Sequence, residues 1–315
     1  MKNNMYEVAV ALAPKQQKLI DSLTEEAVII KEMPFQAATH GIKNVFERVK
    51  DVKGPTIVDL DSPLPLVTAL TELGETPLFK IGGTLEMGKD KVEAMKGKEE
   101  YLRRKLPAIL RMAGSSLDKA MYYDVFIKKA IEFKKAVSAT ASVSNAEEKK
   151  YFSLAAVHWA DGENCGLFND NRQNGTQEGA FFAQDPLWGG NLGKLSSGET
   201  GWAVDITAML GIQIENPKYI KAIVNITEEN FPTYEELVGL SNAIRGNAAN
   251  SRIYASPILI DMIASKYSRV SRDNSYSSLI TLDTDGNVRI KGIPMVGSFN
   301  ILDGTEPGIL TSALA

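Results

Sequence analysis

A single cysteine, Cys165, in a chain of 315 residues excludes an internal disulfide. With only His40 and His158 to assist it, the chain also argues against a zinc cluster as a source of stability. No apolar run approaches the ~18 residues of a membrane span. The opening stretch MKNNMYEVAVALAPKQQK is interrupted by Glu7 and lacks the charged-then-apolar layout of a secretion signal. There is no global positive field to attract nucleic acid, since the formal charge is -4 and the isoelectric point about 5.5. Internal repeats and low-complexity tracts are missing, which argues against solenoids and propellers. These absences point to a protein of a reducing cytoplasm, held together by packing. The hydrophobic fraction of 44% and charged fraction of 23% suit that reading. A chain of this length buries roughly three quarters of its unfolded surface as one large or two modest domains.

The most periodic stretch runs from Lys98 to Lys135. Its apolar residues Leu102, Leu106, Ile109, Leu110, Ala113, Leu117, Ala120 and Met121 recur at three- and four-residue steps, the mark of one helix face. Phe126, Ala130, Phe133 and Val137 continue the pattern. Pro107 removes a backbone donor and Gly114 loosens the backbone, so bends are expected there. This helix reads as a spine joining an extended half, with few apolar residues in register, to a compact half.

Ahead of it, Pro14 to Lys31 is helical in pattern, with Ser22 and Glu25 at capping-box spacing. Met33-Pro34-Phe35 ends that helix, because proline disfavours helical geometry in the residue before it. From Gln36 to Gly97 the chain is punctuated by Gly41, Gly54, Pro55, Pro63, Pro65, Gly74, Pro77, Gly82, Gly83, Gly88 and Gly97, which reads as hairpins and turns. A segment of this length without a helix gains its order from another chain.

Behind the spine, Ser138 to Lys150 is a polar link and the best domain boundary, with Ser144 able to cap no more than a turn. YFSLAAVHW from Tyr151 is a strand, and Asp161 to Gly201 is rich in glycine and asparagine. GWAVDITAMLGIQIENPKYIKAIVNI holds two strands around the turn Glu215-Asn216-Pro217. FPTYEELVGLSNAIRG is a helix with a capping box at Thr233 and Glu236 and Gly246 past its end. SRIYASPILIDMIASKYS is a strand, a Ser256 cap with Pro257 at the first helical position, and a helix. The tail LITLDTDGNVRIKGIPMVGSF is a hairpin and a further strand. This order of strands and helices implies an α+β fold.

Candidate chemistry is sparse. Gly83-Thr-Leu-Glu-Met-Gly88-Lys89-Asp90 matches a phosphate-binding loop except at its last position, where Asp90 replaces the magnesium-binding hydroxyl. A nucleotide hydrolase using Lys89 is the enzymatic alternative; a turn-rich loop is the plainer reading. Asp283-Thr-Asp285-Gly286-Asn287 has oxygen ligands but lacks calcium-loop spacing, and Asp-Gly between apolar runs favours a tight hairpin. His158, Asp161, Glu163 and Cys165 permit a cysteine nucleophile with a histidine base, yet sit where a strand becomes a turn. Glu25 with Glu26, and Glu235 with Glu236, read as first-turn carboxylates favoured by the helix dipole. No catalytic, cofactor-binding or metal-binding residue is assigned. Arg103, Arg104 and Lys105, flanked by Lys96 and Lys98, form the one local basic patch; nucleic acid is one partner for it, but three consecutive residues point around a helix rather than along one groove, and an acidic neighbouring subunit is the other.

The order of these features resembles the major capsid protein of tailed bacteriophages, the fold of phage Hong Kong 97. The likeness rests on LTEEAVIIKEMPFQ at Leu23 to Gln36, on the Gly201 to Ile226 stretch, and on SRIYASPILIDMIASKYS with IKGIPMVGSFNILDGTE up to Glu306. HWADGENCGLF at His158 to Phe168 resembles the strand and turn ahead of a Gly-Leu step in a subgroup of that family. The resemblance covers nearly the whole chain. It implies an N-terminal arm over 1–35, an extended loop over 36–97 that overlaps a neighbour, and a spine helix opening a peripheral domain over 98–150. An axial domain with peripheral strands over 151–268 and C-terminal peripheral strands over 269–315 complete it. The implied role is structural, not enzymatic, and without cofactors: hexamers and pentamers of an icosahedral shell around double-stranded DNA that is bound without sequence specificity. A scaffolding protein, a portal and decoration proteins are the implied partners, no membrane is involved, and the virion capsid assembled in the host cytoplasm is the implied location. Either a separate scaffold guides assembly or the chain is already mature, and no lysine–asparagine crosslink is matched. An encapsulin-type compartment is the alternative within the same fold.

Overall fold

Two sheets and one long helix organise the computed structural model, which describes residues 17–40, 42–58, 63–64, 66–143, 149–160, 162–169, 183–267, 279–283 and 286–314. Ser144, Asp161, Asp285, Gly41, Pro65 and the first part of the expected arm lie outside the described residues. Helices α1 (Gln17–Thr24) and α2 (Val28–Glu32) precede strand β1 (Phe35–Ala37). A hairpin of β2 (Lys43–Lys53) and β3 (Thr68–Pro77) leads into β4 (Phe79–Gly88), α3 (Lys89–Ala94) and the long α4 (Lys98–Ala120). The helix then widens into a π segment, Met121–Ile127, and closes as α5 (Lys128–Glu132). Next come β5 (Ala136–Ser138), β6 (Lys149–His158), β7 (Asn164–Phe168), β8 (Ala183–Pro186), β9 (Gly193–Lys194), β10 (Thr200–Ile214) and β11 (Ile220–Ile226). The chain finishes with α6 (Tyr234–Ala243), β12 (Ser251–Ala255), α7 (Pro257–Tyr267), β13 (Ile280–Leu282), β14 (Val288–Ile290), β15 (Ile293–Gly297) and β16 (Glu306–Pro307).

The larger sheet runs β13-β14-β15-β12-β6-β11-β5, with β16 also paired to β6. It is buried on both faces, which explains why its strands read as continuous apolar runs. Along β6, Ala155 and Val157 face the core around the spine, whereas Leu154 and Ala156 face the core beneath α6 and α7. β12 divides likewise, Tyr254 to the first core and Ile253 and Ala255 to the second. The smaller sheet runs β1-β7-β10-β4, with β8 and β9 also on β10. The two strands expected around Glu215-Asn216-Pro217 are present, but they do not pair with each other: the turn carries the chain from β10 in the smaller sheet to β11 in the larger.

The spine is helical from Lys98 and shows no break at Pro107 or Gly114. The spine is thus one helix across Pro107 and Gly114, and the departure from α hydrogen bonding comes at Met121–Ile127, where Tyr122 and Phe126 turn into an aromatic cluster with Trp159 and Tyr254. Gly114 is a packing residue. A Cβ there would lie 2.1 Å from the Leu23 carbonyl oxygen, so glycine lets α1 reach the spine backbone. The buried face is Tyr101, Leu106, Leu110, Gly114, Leu117 and Asp118. Ile109, expected inside, is 40% exposed, and Val137 is exposed on β5. The link expected from Ser138 begins instead with this strand, which pairs in parallel with β11.

Residues ahead of the spine are not merely extended. Leu23, Ala27, Ile29, Ile30, Met33 and Phe35 are all in the first core. Ser22 lies inside α1 rather than at a helix start, and Glu25 and Glu26 fall in the bend between α1 and α2. The cap of α2 comes from a distant part of the chain: Asp118 Oδ1 on the spine accepts the Ile29 amide at 2.8 Å. Met33 then turns extended before Pro34, as expected. The Thr233–Glu236 capping box forms in both directions, and Ser256 Oγ accepts the Leu259 amide at 3.4 Å. Past α6, Arg245 takes the left-handed conformation at φ 51°, and Gly246 does not. Gly246 is needed for space, since a Cβ would meet Ile293 at 2.6 Å.

Replacing Gly114 with alanine forces a methyl group into a backbone carbonyl and is expected to cost about 1–3 kcal/mol. Gly83→Ala, where a Cβ meets nothing within 4 Å, is expected to change stability by less than about 0.5 kcal/mol. Urea unfolding of both variants checks the contrast.

Candidate assembly surface

β2 and β3 form a two-stranded sheet of their own, paired from Lys43↔Pro77 to Lys53↔Thr68. Its base is pinned to the body. Asn44 Nδ2 donates to Gln213 Oε1 at 2.7 Å, and Gln213 Nε2 donates to the Gly162 carbonyl at 2.8 Å; both side chains are buried. Asn44 Oδ1 also accepts the Thr39 amide at 3.0 Å, and Thr76 Oγ1 donates to Glu215 Oε1 at 3.3 Å. A Lys43–Glu75 ion pair at 2.7 Å closes the exposed side, where it adds little. Buried amides with matched partners fix the direction in which the hairpin leaves the body.

Away from that base the hairpin is uncovered. Leu64 and Leu66 are 85% and 82% exposed, and Ile57, Val67, Leu70 and Leu73 are also exposed. An isolated two-stranded hairpin is marginal in water, and a cluster of bare aliphatic side chains marks an interaction surface. From Gly54 to Phe79, the tip and β3, the sequence carries Asp59, Asp61, Glu72 and Glu75 and no lysine or arginine, whereas β2 carries Lys43, Arg48, Lys50 and Lys53 beside Glu47 and Asp51, so the acidic side of the ribbon is the tip and β3.

The expected basic cluster is partly dispersed. Arg103 and Arg104 both reach Glu100 on their own helix, at 2.8 and 2.7 Å, and these guanidinium groups hold the Glu100 carboxyl down at about 2. Lys98 is used within the chain: Nζ donates to the Gly190 carbonyl at 2.9 Å and lies 4.6 Å from the Trp202 ring centre. Lys96 is exposed in a left-handed turn at φ 65°, and Lys105 is exposed on the spine.

The remaining lures have structural explanations. Gly83 to Gly88 is neither a phosphate cradle nor a turn-rich loop but part of β4, paired residue by residue with β10. Gly82, the residue before it on β4, permits close approach, since a Cβ there would meet the Ile206 carbonyl at 2.6 Å. Lys89 opens α3, 3.9 Å from Glu93. His158 Nδ1 is 2.8 Å from Ser251 Oγ, its ring lies 4.7 Å from Tyr219, and burial lowers its pKa. Cys165 is buried within β7 opposite Gln213. Asp283 serves the expected hairpin: Oδ1 accepts the Asn287 amide at 2.8 Å and Oδ2 accepts Arg289 at 3.2 Å. Glu235 and Glu236 lie in the first turn of α6, as expected.

Asn44→Leu strands the Gln213 amide in a buried site and is expected to cost about 1–3 kcal/mol. Hydrogen exchange is expected to rise throughout β2 and β3 while β6 and β12 keep their protection.

No protein-family model and no curated protein matches the chain. Among solved structures, one of bacteriophage Epsilon15 matches with a TM-score of 0.54 at 11% identity, covering 87% of each chain. The bacteriophage JBD30 capsid matches with a TM-score of 0.52 at 9% identity, covering 93% of this chain and 92% of that one. The holo-SrpI encapsulin complex of Synechococcus elongatus PCC 7942 matches at 0.44 and 7% identity over 66% of this chain and 90% of that one, too weakly to carry an argument. The α+β chain therefore shares its fold with the JBD30 capsid and the Epsilon15 structure.

Proposed function

We propose that this chain is the major capsid protein of a tailed bacteriophage, which self-assembles through hexamers and pentamers into an icosahedral shell enclosing double-stranded DNA. The observation that carries this reading is the β2–β3 hairpin: pinned at its base by buried amides, bare and apolar beyond it, in a chain with the fold of a phage capsid. Ordering such a ribbon costs conformational entropy that contacts with a neighbour offset. On this reading residues 1–35 form the arm, 36–97 the overlapping loop and 98–150 the spine and start of the peripheral domain. Residues 151–268 supply the axial domain and 269–315 the last peripheral strands. Because β15 pairs with β12, these last two segments share one sheet.

The mild negative charge suits a wall whose contact with the genome is weak and independent of sequence. Lys96, Lys98, Arg103, Arg104 and Lys105 remain proposed subunit contacts, and the acidic tip and β3 of a neighbour's hairpin are a partner of opposite sign. Scaffolding, portal and decoration proteins are the proposed further partners, with assembly in the host cytoplasm.

The test is substitution at the hairpin tip. Leu64→Asp with Leu66→Asp is expected to leave a soluble, folded subunit that sediments as small species and gives no closed particles by electron microscopy. Normal particles from this variant would remove the hairpin from the assembly contacts.

A further inference from the structure

The last stretch of the chain, Ser298 to Leu314, runs across the spine and the larger sheet. Ser298 Oγ donates to Asp118 Oδ2, and the Leu302 amide donates to Tyr123 Oη at 2.9 Å. Asn225, left-handed at φ 55° in a bulge of β11, donates to the Ile309 carbonyl and accepts the Ile309 amide, both at 2.8 Å. The Val143 amide donates to Thr311 Oγ1 at 2.9 Å. Among the described residues of this stretch, the ladder contact is made by β16, which lies on β6 opposite Tyr151 and Lys149.

Glu306, within β16, differs from the other fastenings. Its carboxyl group is buried at 4% exposure, beneath the strand that it holds in place. Oε1 accepts Tyr123 Oη at 2.8 Å, and the Ser153 hydroxyl and amide also donate to the carboxylate. Facing it are Tyr122 and Tyr123 from the π segment, Tyr151 from β6 and Asp303 from the tail itself. Lys150, the neighbour on β6, is exposed, with Nζ 5.7 Å from the Tyr151 ring centre. Among the described residues no cation holds the Glu306 charge, and Asp303 opposes it. Asp118 is also buried, but it has donors from α2, Ser298 and Asn300 around it.

We propose that residues 302–314 form a strap whose docking on β6 takes up a proton at Glu306, so that it seats in acid and loosens in mildly alkaline solution. Burial pushes the Glu306 carboxyl from 4.5 up to about 7. The sign follows from this rise. Docking is unopposed below the free carboxyl's pKa, becomes steadily less favourable as pH rises towards 7, and bears the full cost of a buried anion above it. Release would uncover the edge of β6 around Tyr151 and the Asn225 bulge. This inference does not depend on the shell reading, since every group in it belongs to one chain.

Hydrogen exchange of the full chain, expressed as protection factors at pH 5.5 and 8.5, reads the strap directly. Protection over 302–312 is expected to fall by about tenfold or more between the two, while β12 and β15 hold theirs. Glu306→Gln, neutral at both pH values, is expected to keep high protection and lose the pH dependence. Equal protection at both pH values in the native chain, or the same fall in Glu306→Gln, would overturn the proposal. Should Glu306→Gln fail to fold, Tyr123→Phe serves. It removes a donor that favours the anion, so the fall is expected to move to higher pH, and an unmoved midpoint would count against the strap.

Discussion

One buried carboxylate, Asp118, ties together three parts of the chain that are far apart in sequence. It lies at the inner face of the spine, fully buried, and a carboxylate in that position costs several kcal/mol unless hydrogen bonds compensate. The compensation comes from the Ile29 amide at the start of α2, from Ser298 Oγ and from Asn300 Nδ2 at 3.1 Å. Asn300 reaches on to the Glu26 carbonyl at 2.6 Å. The N-terminal helices, the spine and the C-terminal stretch are thereby held at one point. Gly114, one helical turn earlier, lets α1 approach closely enough for that contact to form.

Around this point, the larger sheet divides the interior into two cores. Its strands were legible in the sequence because burial on both faces leaves unbroken apolar runs such as YFSLAAVHW. The same property hid the pairing, since a strand buried on both sides carries no mark of which neighbour it joins. Hence β10 and β11 read only as successive strands around one turn, and they lie in different sheets. Local signals survived well: Thr233 with Glu236, Ser256 before Pro257, and Pro34 after α2 act through residues a few positions away. Ser22 failed because its helix runs past it, and the true cap of α2 lies 89 residues along the chain.

The assembly surface was legible only in outline. Glycine and proline marked 36–97 as extended, yet β4 within it is the last strand of the smaller sheet, and Met87 and Val92 belong to the core. What sequence patterning could not convey is that Asn44 would find Gln213, which rests on a contact between remote segments. The bare side chains of the hairpin look in sequence like any short apolar run, since exposure is a property of the fold. Charge offered a partial signal, because the tip and β3 from Gly54 to Phe79 lack lysine and arginine while β2 and the spine carry them. Within the basic cluster, intrahelical pairing with Glu100 and the seat of Lys98 on Trp202 could not be told from free positive charge.

The hairpin thus presents a defined direction, an apolar surface and an acidic tip, while the body that carries it is closed around its own cores. Cryo-electron microscopy of the purified full-length chain tests the shell reading most directly. Closed icosahedral particles in which the hairpin of one subunit lies across a neighbour are the predicted result. Dispersed monomers, or particles in which the hairpin folds back on its own subunit, would contradict it.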